Sequence, residues 1–270
     1  MAPLVVLAGC GSPSGNLFKG STADLSGNWQ IQTSANSTTA APSGVVLLGA
    51  IEGSGGQFTG TFRFTNLAQS DACGQSEVVT ATGSVDSKGG MMLNSAPLSN
   101  GTTVKVSLKL TDTPPYSGIG SVEVDGKTCT FASAPAIGTQ VASTTGTFTG
   151  TLAPGRSEAL GSVTPGTATV TLTQAANPNP DGEFAETGTL TYQMGACSGN
   201  VPLKGTVSGV AMNFWEVVYS ADGDQEQVNL TGTTDLAASQ INAGYLSIAP
   251  APCSADPNSS AIFKGQLNRN

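Results

Sequence analysis

Apolar and polar residues alternate with a period of two through most of the chain. Val104, Val106, Leu108 and Leu110 are interleaved with Lys105, Ser107, Lys109 and Thr111, and Val122 and Val124 with Glu123 and Asp125. The same beat runs through Trp29 and Ile31 and through Phe58, Phe62 and Phe64. It returns in Val170 and Leu172, Leu190 and Tyr192, Val228 and Leu230, and Leu246 and Ile248. A period of two turns one set of side chains to a core and the other to water, so each run predicts a half-buried strand. Gly53-Ser54-Gly55-Gly56, Lys88-Gly89-Gly90, Asn100-Gly101, Asp125-Gly126 and Asn177-Pro178-Asn179-Pro180-Asp181-Gly182 punctuate the runs with turn chemistry. Strong helix formers never accumulate in a periodic run. Short strands spaced by roughly 8–12 residues predict an all-β fold of antiparallel meanders, closed as a barrel or stacked as a sandwich.

The cysteines organise these strands into two units. Cys73 and Cys129 stand 56 positions apart, as do Cys197 and Cys253, and the second pair follows the first by 124 positions. At that shift Gly120, Val122 and Val124 meet Gly244, Leu246 and Ile248. With small gaps, Val106-Ser107-Leu108 meets Val228-Asn229-Leu230, and Phe58 with Gly60-Thr61 meets Phe184 with Gly188-Thr189. The expectation is two tandem β domains, 25–142 and 143–270, the second an internal repeat of the first. Phe148-Thr149-Gly150-Thr151-Leu152 suits either the close of the first unit or the opening of the second. Four cysteines allow three connectivities. The recurring spacing favours Cys73–Cys129 and Cys197–Cys253, one disulfide per domain, each contributing roughly 4 kcal/mol in the chain-entropy model.

The fifth cysteine ends Leu7-Ala8-Gly9-Cys10, which resembles the lipobox of bacterial lipoproteins. The resemblance implies cleavage before Cys10, acylation of its thiol and export. Gly11 in place of Asp implies the outer membrane or cell surface. Residues 1–9 then read as a signal-peptide remnant. Met1 to Leu7 hold no Lys or Arg and are short for a secretion signal, which points to a longer true signal. Residues 10–24 read as the lipidated Cys and a flexible tether spanning about 20 Å. Gly27-Asn28-Trp29 resembles the Gly-x-Trp of lipocalins and avidins, and Phe58-Thr59-Gly60-Thr61-Phe62 is similar to the second strand of avidin-type barrels. That likeness implies an aromatic plug at a barrel end and transfers no ligand residue. The mature chain as a whole is similar to Gly/Thr-rich bacterial envelope lipoproteins.

Composition narrows the chemistry. The net charge is −8 with 10 Lys and Arg, which leaves no basic patch for phosphates and argues against nucleic acid. The absence of His excludes His-based triads and His-liganded zinc. No Gly-x-Ser-x-Gly elbow and no Cys-x-x-Cys pair occurs. No cofactor is called for. Asp222, Asp224 and Glu226 have the spacing of oxygen ligands for Ca²⁺, although Thr233 stands where a full Ca²⁺ loop needs its last carboxylate. A solvated acidic turn is the simpler reading of those three. Asn213, Trp215, Val217 and Tyr219 share one face of a strand whose first-unit counterpart, Met91 to Ser95, has no aromatic. Trp215, Tyr219 and Asn213 are therefore the candidate binding residues, set against the plainer reading of local core packing.

Three functions fit in descending order. The first is a non-enzymatic, lipid-anchored envelope module that binds a glycan or protein partner. The second is a lipocalin-like small-molecule carrier with an apolar cavity in each barrel. The third is a carboxylate-dependent hydrolase, which needs two Asp or Glu side chains roughly 5–10 Å apart in one cleft.

Overall fold

A computed structural model describes residues 23–33, 44–53, 56–66, 76–126, 131–157, 165–195, 197–219, 225–250 and 260–270. They form sixteen strands. The first eight are β1 (Gly27–Thr33), β2 (Val45–Glu52), β3 (Gln57–Asn66), β4 (Glu77–Val85), β5 (Gly90–Ser95), β6 (Thr103–Leu110), β7 (Ser117–Asp125) and β8 (Phe131–Val141). The second eight are β9 (Gly146–Ser157), β10 (Gly166–Pro178), β11 (Phe184–Met194), β12 (Cys197–Ser208), β13 (Ala211–Tyr219), β14 (Gln225–Thr234), β15 (Gln240–Ala249) and β16 (Ala261–Arg269). Each set closes into an antiparallel up-and-down barrel, so of the two all-β architectures the pattern allowed, the chain adopts the barrel twice. Closure comes from the first strand pairing with the last. Asn28 lies opposite Val141 in one barrel, and Phe148 lies opposite Arg269 in the other. The Phe148 segment, β9, thus opens the second barrel and pairs with both β10 and β16.

Alternation decides which face goes inside. In β6, Val104, Val106, Leu108 and Leu110 are buried while Lys105, Ser107 and Lys109 are exposed. An eight-stranded barrel is just wide enough for side chains to fill it. Trp29, Ile31, Phe62, Met91 and Leu93 do so in the first barrel, and Phe148, Leu152, Phe214 and Phe263 in the second, all almost fully buried. Each large apolar side chain removed from water contributes about 1.5–3 kcal/mol. Most apolar residues point in and most Thr, Ser, Lys and Asn point out, the reverse of a membrane-spanning barrel, with Met92, Ile119, Ile137, Trp215 and Tyr245 as outward exceptions. The Trp29 indole satisfies its one donor by hydrogen bonding to Leu25 O at 2.7 Å. Phe148 opens the second barrel without that donor, and the Arg269 guanidinium lies 5.1 Å from its ring centre.

Turn residues do the work their chemistry suggests. Asp86 Oδ1 accepts from the Lys88 and Gly90 amides at 2.7 and 2.8 Å, closing the β4–β5 turn. The hydrogen bond from Gly90 is the main reason its carboxyl sits below the ordinary value. In the β10–β11 turn, Asn179 Oδ1 accepts from the amides of Asp181 and Glu183.

The barrels meet end to side: the β10–β11, β12–β13 and β14–β15 turns at one end of the second barrel lie against the outer wall of the first. Asn28 Nδ2 donates to Gly209 O at 2.7 Å and Gly209 N donates back to Asn28 Oδ1 at 2.6 Å, both buried. Val210 N donates to Gln30 Oε1 at 3.3 Å, Ala142 N to Leu236 O at 2.9 Å, and Arg63 lies 3.5 Å from Glu183. Two glycines with positive φ make the approach possible. A Cβ on Gly209 (φ +54) would fall 2.5 Å from Leu48 Cδ2, and one on Gly182 (φ +78) 2.1 Å from Thr61 O.

Candidate functional site

The strand that carries Trp215 is the fifth of the second barrel. Met212 and Phe214 of β13 point into the core, so Asn213 and Trp215 are turned out. Trp215 is 57% exposed, far from the packed position that a purely structural aromatic would take. Asn229 of β14 faces it across the ladder, and Ser247 of β15 faces Asn229. Beside this row runs a second, Asn213, Thr231 and Tyr245, with Tyr245 partly exposed. Two rings thus lie roughly 12 Å apart at backbone level, two strands and one pleat from each other. Amide and hydroxyl groups fill the surface between them. Asn229 Oδ1 is buried without a protein partner. In the first barrel, β5 turns Met92 and Asn94 outward and presents no ring.

Trp215 also marks a parting of the wall. β12 pairs with β13 only from Gly205 to Ser208, against Phe214 to Ala211. Beyond that point β12 stays with β11 and β13 stays with β14. Lys204 Nζ and Glu216 Oε2, 3.7 Å apart, join the two strands where the ladder has ended. In the first barrel the corresponding region is crossed by the chain after β5, where Ala96 N donates to Thr80 O and Ser99 donates to the Glu77 carboxylate.

A second feature lies between the barrels, a cleft of about 550 Å³ walled by Asn28, Pro115, Gln140, Ser143, Gln174 and Phe184 among others. Among its described lining residues there is no carboxylate. Behind the wall sits Glu186, only 1% exposed, on the inward face of β11. Thr144 Oγ1, in the 142–145 connection, lies within hydrogen-bond reach of Glu186 Oε1 and 3.0 Å from Gln174 Oε1. Burial pushes the Glu186 carboxyl up from its ordinary 4.5 to about 7, with the Thr144 hydroxyl acting in the opposite sense.

The structure brings together Asn213 and Trp215. Tyr219 ends β13 opposite Gln225, and its side chain lies outside the described residues. So do Asp222, Asp224 and the side chain of Glu226. Among the described residues no three His, Cys, Asp or Glu side chains gather as a metal-holding group. Cys10, Cys73, Cys129 and Cys253 lie outside the described residues. Cys197 opens β12 opposite Met194, and its sulfur is likewise outside them. Sequence reasoning missed Glu186, Thr144, Gln174 and Asn28. Glu186 had a readable signal, because it shares the even-numbered, inward parity of Phe184, Leu190 and Tyr192. Asn28 had none, since its partner is 181 residues away.

No protein-family model matches the chain, and no curated protein matches it in sequence.

Proposed function

We propose that this chain is a non-catalytic binding module of the bacterial cell envelope, held to the outer membrane or cell surface through an acylated Cys10. It engages its partner with the outer face of the second barrel around Trp215. The observation that carries the reading is the exposed Trp215 ring in a field of Asn213, Asn229, Thr231, Tyr245 and Ser247. Aromatic rings offer flat apolar area, and the surrounding amides and hydroxyls suit the rim of a sugar, so a glycan fits this face better than a charged partner. The packed aromatic interiors weigh against a carrier that stores a small molecule inside a barrel. In this reading Cys73–Cys129 and Cys197–Cys253 are disulfides, one per barrel, as an exported domain favours.

Trp29 and Trp215 are the chain's two tryptophans, one buried and one exposed, which supplies the assay. A panel of envelope polysaccharides and surface proteins should shield the exposed fluorophore from acrylamide, and Trp215→Ala should abolish that binding. Undiminished binding by Trp215→Ala would overturn the assignment of the face. Mass spectrometry of the mature protein should find an acylated N-terminal Cys10. It should also find a four-proton mass increase on reduction, and a free thiol at any of the four paired positions would refute the disulfides.

A further inference from the structure

Counting hydrogens around Thr144 gives an assignment that its distances alone do not. Thr144 is fully buried in the short connection between the barrels. Its backbone N–H donates to Gln174 Oε1 at 2.9 Å, which fixes that atom as the amide oxygen and not the nitrogen. The same oxygen lies 3.0 Å from Thr144 Oγ1. An amide oxygen brings no hydrogen, and the Thr144 hydroxyl has one, which it can give to Gln174 Oε1 or to Glu186 Oε1 but not to both. An ionised Glu186 takes that hydrogen. A protonated Glu186 instead donates to Thr144 Oγ1 and leaves the Thr144 O–H for Gln174 Oε1. The other carboxyl oxygen, Oε2, is buried without a partner. That is tolerable for the carbonyl oxygen of a neutral acid and far costlier for a carboxylate.

We propose that protonated Glu186 is a latch on the connection between the barrels, and that loss of its proton to solvent releases Thr144 and loosens the setting of one barrel against the other. The ionised form would have to draw the Thr144 hydroxyl away from Gln174 and break the relay. Gln174 and Ser143, on either side of that relay, are also walls of the inter-barrel cleft, so the cleft changes with it. Across the ladder Glu186 faces Gln174 of β10 and Gly205 of β12, neither of them charged. The charged residues of the neighbouring segments are engaged elsewhere. Glu183 meets Arg63, Lys204 meets Glu216, and Arg269 donates to Ser143 O and lies over Phe148. No charged group contributes to the carboxyl's displacement, which burial raises to about 7 and so places near neutrality.

Hydrogen exchange on the full chain, corrected for base catalysis and followed from about pH 5.5 to about pH 8.5, tests this. Protection of the Thr144 amide should fall by about tenfold or more across that range in the native protein. It should stay level in Glu186→Gln, whose side-chain amide donates to Thr144 Oγ1 at every pH. Level protection in the native protein, or the same fall in Glu186→Gln, would overturn the latch. Should that variant fold poorly, the carboxyl carbon of Glu186 in the native protein still decides. A titration midpoint above about 6 supports the latch, and one near the ordinary 4.5 ends it.

Discussion

Trp215 and Glu186 break the same rule in opposite directions. One puts a large ring on the wet face of its strand, and the other puts an acid on the dry face. Their substitutions should therefore separate binding from stability. Trp215→Ala should move the urea midpoint little, within about 0.5 kcal/mol, while removing partner binding. Glu186 should dominate the pH dependence instead. Below pH 4.5 the folded and unfolded chains both carry its proton. Between 4.5 and about 7 the unfolded chain has lost it while the folded chain keeps it, so stability falls as pH rises and levels off above about 7. The full swing is up to about 3 kcal/mol. Urea denaturation at several pH values should show this slope in the native protein and lose it in Glu186→Gln. Of these two residues, Trp215 was legible in the sequence because its strand repeats a stretch that lacks aromatics. Glu186 was half legible. Its off-pattern position could be read, but its partners could not, because Thr144 lies 42 residues away.

Strands are legible when their two faces differ in polarity, and β6 is the clearest case. The inward set is apolar without exception, and the outward set is Lys and Ser in all three exposed positions. Truncating an inward side chain should be expensive. Phe62→Ala should cost about 3–5 kcal/mol in urea denaturation, because the filled interior of a small barrel cannot collapse onto the space left behind. The parting of β12 from β13 was not legible. Side-chain period says which way a residue faces, and says nothing of where two neighbouring strands stop pairing. What the sequence does carry there is protection. Pro202 and Lys204 fall on the stretch of β12 that has no β13 partner, and both are residues that blunt an open edge. Pro202→Val restores an N–H donor to that edge. Light scattering at rising protein concentration should then show more self-association than the native protein does.

At the scale of the molecule, two barrels are joined by more than a linker. Asn28 exchanges two buried hydrogen bonds with the Gly209 backbone, and removing its side chain leaves a donor and an acceptor of that glycine unmet. Asn28→Ala should weaken the junction by about 2 kcal/mol or more. The measurable sign is a single unfolding transition that splits into two. That the chain holds two β units could be inferred from cysteine spacing and matched residues, whereas eight strands to a barrel and the contact between the barrels could not. That contact depends on Gly182 and Gly209, ordinary turn glycines until the neighbouring barrel comes within 3 Å of where their Cβ atoms would be. The closing strand of each barrel lies against its opening strand, with Val141 beside Asn28 and Arg269 beside Phe148. Each unit therefore leaves the polypeptide at nearly the point where it entered. A barrel so arranged can be excised, copied or re-cut at a different turn without rerouting any strand, and a circular permutant of the second barrel, its ends tied by a few glycines, should fold as the native one does.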